Sequence, residues 1–227
     1  GVAAKRVNLD PKCDMVQCSA NNFYEGVTQQ EVEKFYAAKA DPKDPAPVSW
    51  GLNSKLFKKD GRIEEHVWKI GGMYGPAIEK VVYWLEKAVT VAENESQRKA
   101  LTALIEYYRT GDLKKFDQYS VLWVEDSTSM VDLINGFIET YGDAMDYRAT
   151  YESLVYFKDL EATRRMEAIA AQAQWFEDNA PIMDGHKKKK VTGVTGRVIT
   201  VAGEAGDVSP STPIGINLPN SNWVRAK

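Results

Sequence analysis

Two histidines, two cysteines and one run of four lysines are the residues whose types alone could do chemistry in this chain. His66 and His186 lie far apart, and neither belongs to a ligand-spaced pair of the kind that puts two imidazoles on one helix face. Cys13 and Cys18 make no disulfide framework and could ligate zinc only with help from elsewhere. They are expected to be free thiols in a reducing, cytoplasmic setting. Lys187 to Lys190, beside Gly185 and His186, read as a solvated loop, with a patch for a small anion as the other reading. Gly71, Gly72 and Gly75 lack the G-x-G-x-x-G spacing of a phosphate loop and read as a turn opening a helix at Pro76.

Other polar side chains carry little signal by themselves. Glu139 reads as a surface carboxylate at a helix end, and Glu152, beside Tyr151, as a solvated charge. Tyr141 reads as a core or rim aromatic, and Asn217 and Asn220 as turn residues making local contacts. A net charge of −3 provides no broad basic field for nucleic acid or an anionic membrane. No stretch approaches the roughly 18 consecutive apolar residues of a membrane span, and Gly1 to Arg6 shows no apolar signal core.

The elements that must position these residues are mostly helical in pattern. Thr28 with Glu31 forms a capping box ahead of Val32, Phe35 and Tyr36, and the prolines after Asp41 impose extended chain. Lys59-Asp60-Gly61 marks a turn inside Leu52 to Ile70. From Pro76, Ile78, Val81, Val82 and Leu85 line one helix face; Glu95 to Arg109 repeats the pattern until Gly111, and Asp112 caps the next helix. Val121 to Val124 has strand character, Met130 to Ile138 is a further apolar run, and Glu161 to Phe176 is an amphipathic helix closed by Pro181. Val191 to Val201 reads as β, Gly203 to Pro213 as a loop, and Ile214 to Val224 as an extended piece interrupted by Pro219. The expected fold is α+β and predominantly α-helical. A helical body over residues 1–184 is followed by a partial β region over 185–227, with helix prevailing to about residue 180.

Several segments in order resemble the zinc-dependent dipeptidyl peptidase III family, its bacterial branch best. Asn135-Gly136-Phe137-Ile138-Glu139-Thr140-Tyr141-Gly142-Asp143, then Tyr151-Glu152, is similar to the family's G-F-I-E-x-Y-x-D-P and following aromatic-Glu pair. Ile214-Gly215-Ile216-Asn217-Leu218-Pro219-Asn220 is similar to G-I-N-hydrophobic-P-N. Ile105-Glu106, Thr110-Gly111 and Trp123-Val124-Glu125-Asp126 fall at matching offsets, and the helix Ile78 to Ala88 fits. The resemblance runs from about Asn53 to Arg225, and Ala144 departs from it where the family usually has proline.

The resemblance implies removal of dipeptides from the free N-terminus of short peptides. Glu139 would hold the substrate's ammonium, with Asn217 and Asn220 on the same end of the peptide and Glu152 as a second pocket carboxylate. The chain around Gly215 would pair with the peptide backbone, and Tyr141 would support the transition state as a donor to the developing oxyanion. The family's zinc motif, H-E-x-x-G-H, has no counterpart here. This sequence is therefore expected to be a portion of the enzyme N-terminal to that motif, without a zinc site or turnover of its own. Its partners would be the peptide, the missing catalytic lobe and, through exposed surface, a second copy. The alternatives are a non-catalytic helical interaction module and, less well supported, a carrier for a small anion at Lys187 to Lys190.

Overall fold

The structure, a computed structural model, describes residues 3–194, 196–209 and 211–227. The chain opens with a single turn, α1 (Met15–Cys18), capped by the Asp14 carboxylate, which accepts from the Val16 and Gln17 amides. That turn brings Cys18 round to Cys13, with Cα atoms 6.3 Å apart, and the two are joined as a disulfide. The expected free thiols are thus corrected: a capped turn, rather than a sequence framework, sets the pairing.

A short strand β1 (Tyr24–Glu25) leads to α2 (Gln29–Ala37), which starts on the Thr28–Glu31 capping box. β2 (Ser54–Lys59) and β3 (Arg62–Val67) form a hairpin about the expected turn, through Asp60 and Gly61, both at positive φ. β1 runs parallel to β2, so the first sheet has the order β1-β2-β3. Three helices follow: α3 (Gly75–Thr90), α4 (Glu95–Thr110) and α5 (Leu113–Glu125). Asn94 caps α4 at its start, Gly111 ends it in the left-handed conformation, and Asp112 caps α5. Leu101, Leu104, Tyr107 and Tyr108 of α4 lie at the centre of the largest core cluster, with Ile78 and Leu85 of α3 and Leu113 and Tyr119 of α5.

Val121 to Val124 is not a strand; it is the last part of α5. Leu113, Phe116, Tyr119, Ser120 and Trp123 recur at helical spacing, and this face carries the helix through a β-prone run. The reverse holds for Met130 to Ile138. β4 (Val131–Glu139) and β5 (Thr150–Lys158) are long antiparallel strands, and β6 (Ile199–Gly206) completes the second sheet in the order β4-β5-β6. The expectation that β structure lies mainly after residue 185 is therefore corrected: the principal sheet begins near residue 131. Phe137 packs into the helical core while Ile134 joins a separate cluster with Leu154 and Tyr156. A strand covered on both faces reads as a continuous apolar run, which periodicity cannot separate from helix.

The expected helix from Glu161 to Phe176 is broken in two, α6 (Leu160–Ala170) and α7 (Ala173–Asp178), neither with a buried residue. Among the described residues of the Val191 to Val201 stretch only the part from Ile199 is strand, and that strand continues past Gly203, where a loop was expected. Gly1, Val2, Thr195 and Pro210, which fall within the expected N-terminal, β and loop stretches, lie outside the described residues. Residues 215–221 adopt neither helix nor strand before the final turn α8 (Asn222–Arg225).

Leu104 is 0% exposed at the centre of the helical core. Leu104→Ala is expected to cost about 2–5 kcal/mol in a denaturant titration, the range for emptying a packed leucine site. A cost below about 1 kcal/mol would show that this cluster is not the core.

Candidate functional site

The second sheet gathers its polar residues at one end. In register, Glu139 at the end of β4 faces Thr150 at the start of β5, and Glu152 lies between Gly136 of β4 and Gly206 of β6. Glycine at 136 has a further reason: a Cβ there would stand 2.7 Å from the Phe116 ring. Asp207 follows β6 directly, its amide donating to the Tyr151 carbonyl at 2.9 Å. Carboxylates from the end of β4, from within β5 and from just past β6 thus line one cleft, together with residues of the 211–218 segment. The resulting cleft is lined by Glu139, Glu152 and Asp207 together with Tyr141, Gly215 and Asn217.

Asn220 lies just beyond the cleft and ties the two halves together, its Nδ2 donating to Glu139 Oε1 at 3.2 Å. Tyr141 is 63% exposed, and its hydroxyl donates to Asp207 Oδ2. That bond and the nearby negative charge push the phenol up to about 12. Thr150 Oγ1 reaches the same Asp207 oxygen at 3.2 Å and the Glu139 carbonyl at 3.3 Å. Glu152 is only 6% exposed. Burial first, then the charges of Glu139 and Asp207, push it up to about 7.

All six residues singled out in the sequence come together here: five line the cleft and the sixth bonds to Glu139. Glu139 ends a strand rather than a helix, and Glu152 is buried rather than solvated. Asp207 was missed. It sits in a stretch whose Gly, Ser and Pro content signals only a loop, and the sole hint was a Gly-Asp pair closing an alternating segment. Among the described residues none of the three carboxylates has a salt-bridge partner, so the cleft is suited to a cationic group bearing N–H donors. Gly215 to Leu218 makes no backbone–backbone hydrogen bond among the described residues, which leaves its main chain available to a ligand.

Metal chemistry has no comparable arrangement. Among the described residues, no group of three or more His, Cys, Asp or Glu side chains is placed to hold a metal ion. His66 packs edge-on against Phe57, and His186 lies in a short 3-10 turn (Asp184–His186). In the basic run, Lys187 pairs with Asp184 at 2.9 Å.

Residues 52–227 match the family model described as peptidase family M49. The chain belongs to peptidase family M49. Every residue of the cleft falls inside the matched stretch. This M49 chain is 28% identical to dipeptidyl peptidase 3 of Mus musculus over 204 residues, which are 88% of this chain and 26% of that protein. It is 30% identical to dipeptidyl peptidase 3 of Homo sapiens over 154 residues, 68% of this chain and 20% of the human protein. In fold it is similar to the structure of DPP III from Caldithrix abyssi, with a TM-score of 0.72 at 23% identity, over 90% of this chain and 38% of that one. The chain thus spans about a quarter of the length of the curated M49 relatives.

The Glu152 shift has a measurable sign. Its folded-state value near 7 lies above the ordinary glutamate value of about 4.3, so between them the folded chain holds a proton that the unfolded chain releases. The stability this provides is complete below about pH 4 and is lost as pH rises through about 7. Glu152→Gln, which stays neutral, should therefore lose less melting temperature than the wild type between about pH 5 and pH 8. An equal loss in both would place the carboxyl in solvent.

Proposed function

We propose that this chain is the peptide-binding portion of a zinc-dependent dipeptidyl peptidase, which removes dipeptides from the free N-terminus of short peptides. The observation that carries the reading is the cleft itself: three carboxylates without a cationic partner among the described residues, with Asn220 bonded to Glu139. A protonated amine is the part of a peptide that such a cleft recognises, because charge-assisted hydrogen bonds are about twice as strong as neutral ones. Glu139 takes the ammonium, Asn217 and Asn220 orient the same end through their carboxamides, and Glu152 adds charge as it ionises. The unpaired main chain at Gly215 to Leu218 then fixes the peptide's direction by strand-like pairing. Only a free N-terminus satisfies the carboxylates, which sets the register from which two residues are counted.

The zinc of M49 peptidases supplies a Lewis acid and an activated water when bound. The residues described here do not fit it, since they offer no three-ligand group. Their work is to bind and orient the peptide.

A second reading, a helical interaction module without catalysis, draws on a groove between α3 and the sheet where Trp84, Val91, Val131 and Val155 are exposed. The two readings part at Glu139. Truncating one member of a desolvated charge pair costs about 2–5 kcal/mol, or roughly 30-fold and upward. In the zinc-loaded enzyme, Glu139→Ala is expected to lower kcat/KM on free-amine peptides by about that factor with zinc content unchanged. Efficiency within about twofold of wild type, zinc retained, would refute the peptidase reading of this cleft.

A further inference from the structure

The chain between β4 and β5 leaves Glu139 at one end and returns at Thr150, with neither helix nor strand between them. It folds on one buried side chain. Asp143 accepts the Met145 amide on Oδ1 at 3.0 Å, and the Tyr147 and Arg148 amides on Oδ2 at 3.1 and 2.8 Å. Its own amide donates back to the Thr140 carbonyl at 2.8 Å, beside Glu139. One further donor comes from far along the chain: the Tyr24 hydroxyl reaches Asp143 Oδ2 at 2.6 Å, across 119 positions.

Tyr24 is itself well fixed. β1 pairs it with Leu56, whose amide donates to the neighbouring Phe23 carbonyl at 3.1 Å. Arg148 is 0% exposed, and its Nε and Nη1 have no acceptor among the described residues. The Tyr24 and Tyr36 rings, centred 5.0 and 4.8 Å from the guanidinium carbon, supply part of the stabilisation that a carboxylate would give. Burial pushes the Tyr24 phenol far above its ordinary value, so it remains a donor at neutral pH. Tyr24 does not line the cleft, and it lies ahead of the stretch that matches the M49 model.

We propose that Tyr24 is a positioning residue of the peptide cleft: its hydroxyl, on Asp143, locks the 140–149 turn and so holds Glu139 in the orientation that takes a peptide's ammonium. A hydrogen bond weakens steeply once its angle is lost, so a carboxylate on a loosened turn grips the ammonium less well. Tyr24 acts through Glu139 and has no contact of its own with the peptide. This inference rests on the peptide-binding reading above, and the two fail separately.

Tyr24→Phe removes only the hydroxyl and keeps the ring against Arg148. The first arm needs no substrate. Hydrogen exchange of the zinc-loaded enzyme is followed by mass spectrometry in peptides covering residues 140–149 and 150–158. A hydrogen bond to an ionised acceptor is worth about tenfold or more, so exchange over 140–149 should quicken by about that factor. Exchange over 150–158 should not change. Unaltered exchange over 140–149 overturns the proposal, and so does equal quickening of both segments, the mark of a general loosening of the fold.

The second arm uses tetra-alanine as substrate of the same enzyme. Tyr24→Phe should raise KM by about tenfold, with kcat within about twofold of wild type. In a Glu139→Ala background it should lower kcat/KM by less than about twofold further. A fall in kcat with KM unchanged, or the full loss repeated without Glu139, contradicts the proposal. If wild-type enzyme fails to cleave tetra-alanine at all, the peptidase reading falls, and the exchange arm alone decides whether Tyr24 locks the turn.

Discussion

Three carboxylates within reach of one another at the end of a sheet repel, and the rest of the site is arranged around that repulsion. The structure relieves it in three ways. Glu152, the most buried of the three, is held partly protonated near neutral pH. Asp207 takes hydrogen bonds from Tyr141 and Thr150, and Glu139 takes one from Asn220. What remains is a cleft that gains most from a ligand bringing its own positive charge. The two glycines beside Glu152 serve the same end, since they leave the flanking strands without side chains at that register.

Holding such a cluster in place requires rigid surroundings, and much of the rigidity comes from the N-terminal segment ahead of the matched M49 stretch. The loop that carries Tyr141 folds on Asp143, whose carboxylate accepts from the Met145, Tyr147 and Arg148 amides and from the Tyr24 hydroxyl at 2.6 Å. Arg148 is 0% exposed, with its guanidinium 5.0 Å from the Tyr24 ring centre and 4.8 Å from that of Tyr36. Arg6 packs against Gly142, where a Cβ would displace its guanidinium. On the other side, Trp223 Nε1 donates to the Pro47 carbonyl at 3.3 Å, bracing the short helix that follows Asn220. The first fifty residues therefore hold both margins of the cleft.

Much of this is legible in the sequence. The Thr28–Glu31 box, the Asp60-Gly61 turn, the Gly111 stop and the Asp112 cap are local devices, and each lies where its chemistry places it. The α+β class and the M49 family also follow from the sequence. What failed was long-range. Whether Met130 to Ile138 is strand or helix depends on what covers its second face, and Val121 to Val124 follows the helix that Asp112 starts. The site residues were recognisable through their order along the chain. Their burial was not, because Glu152 lies on the middle strand of its sheet under the distant 211–218 segment, and Asp207 owes its place to strand pairing that joins residues more than fifty positions apart. Cys13 and Cys18 pair because one helical turn happens to bring them together.

The most direct test of the proposal that this cleft binds a peptide's N-terminal ammonium is the affinity of one peptide in two forms. Titration calorimetry of tetra-alanine and its N-acetyl derivative into this chain near pH 7 changes only the charge at that end. The account predicts that the free amine binds more tightly by roughly 30-fold or more, the worth of a desolvated charge pair. Equal affinity for the two forms would contradict it.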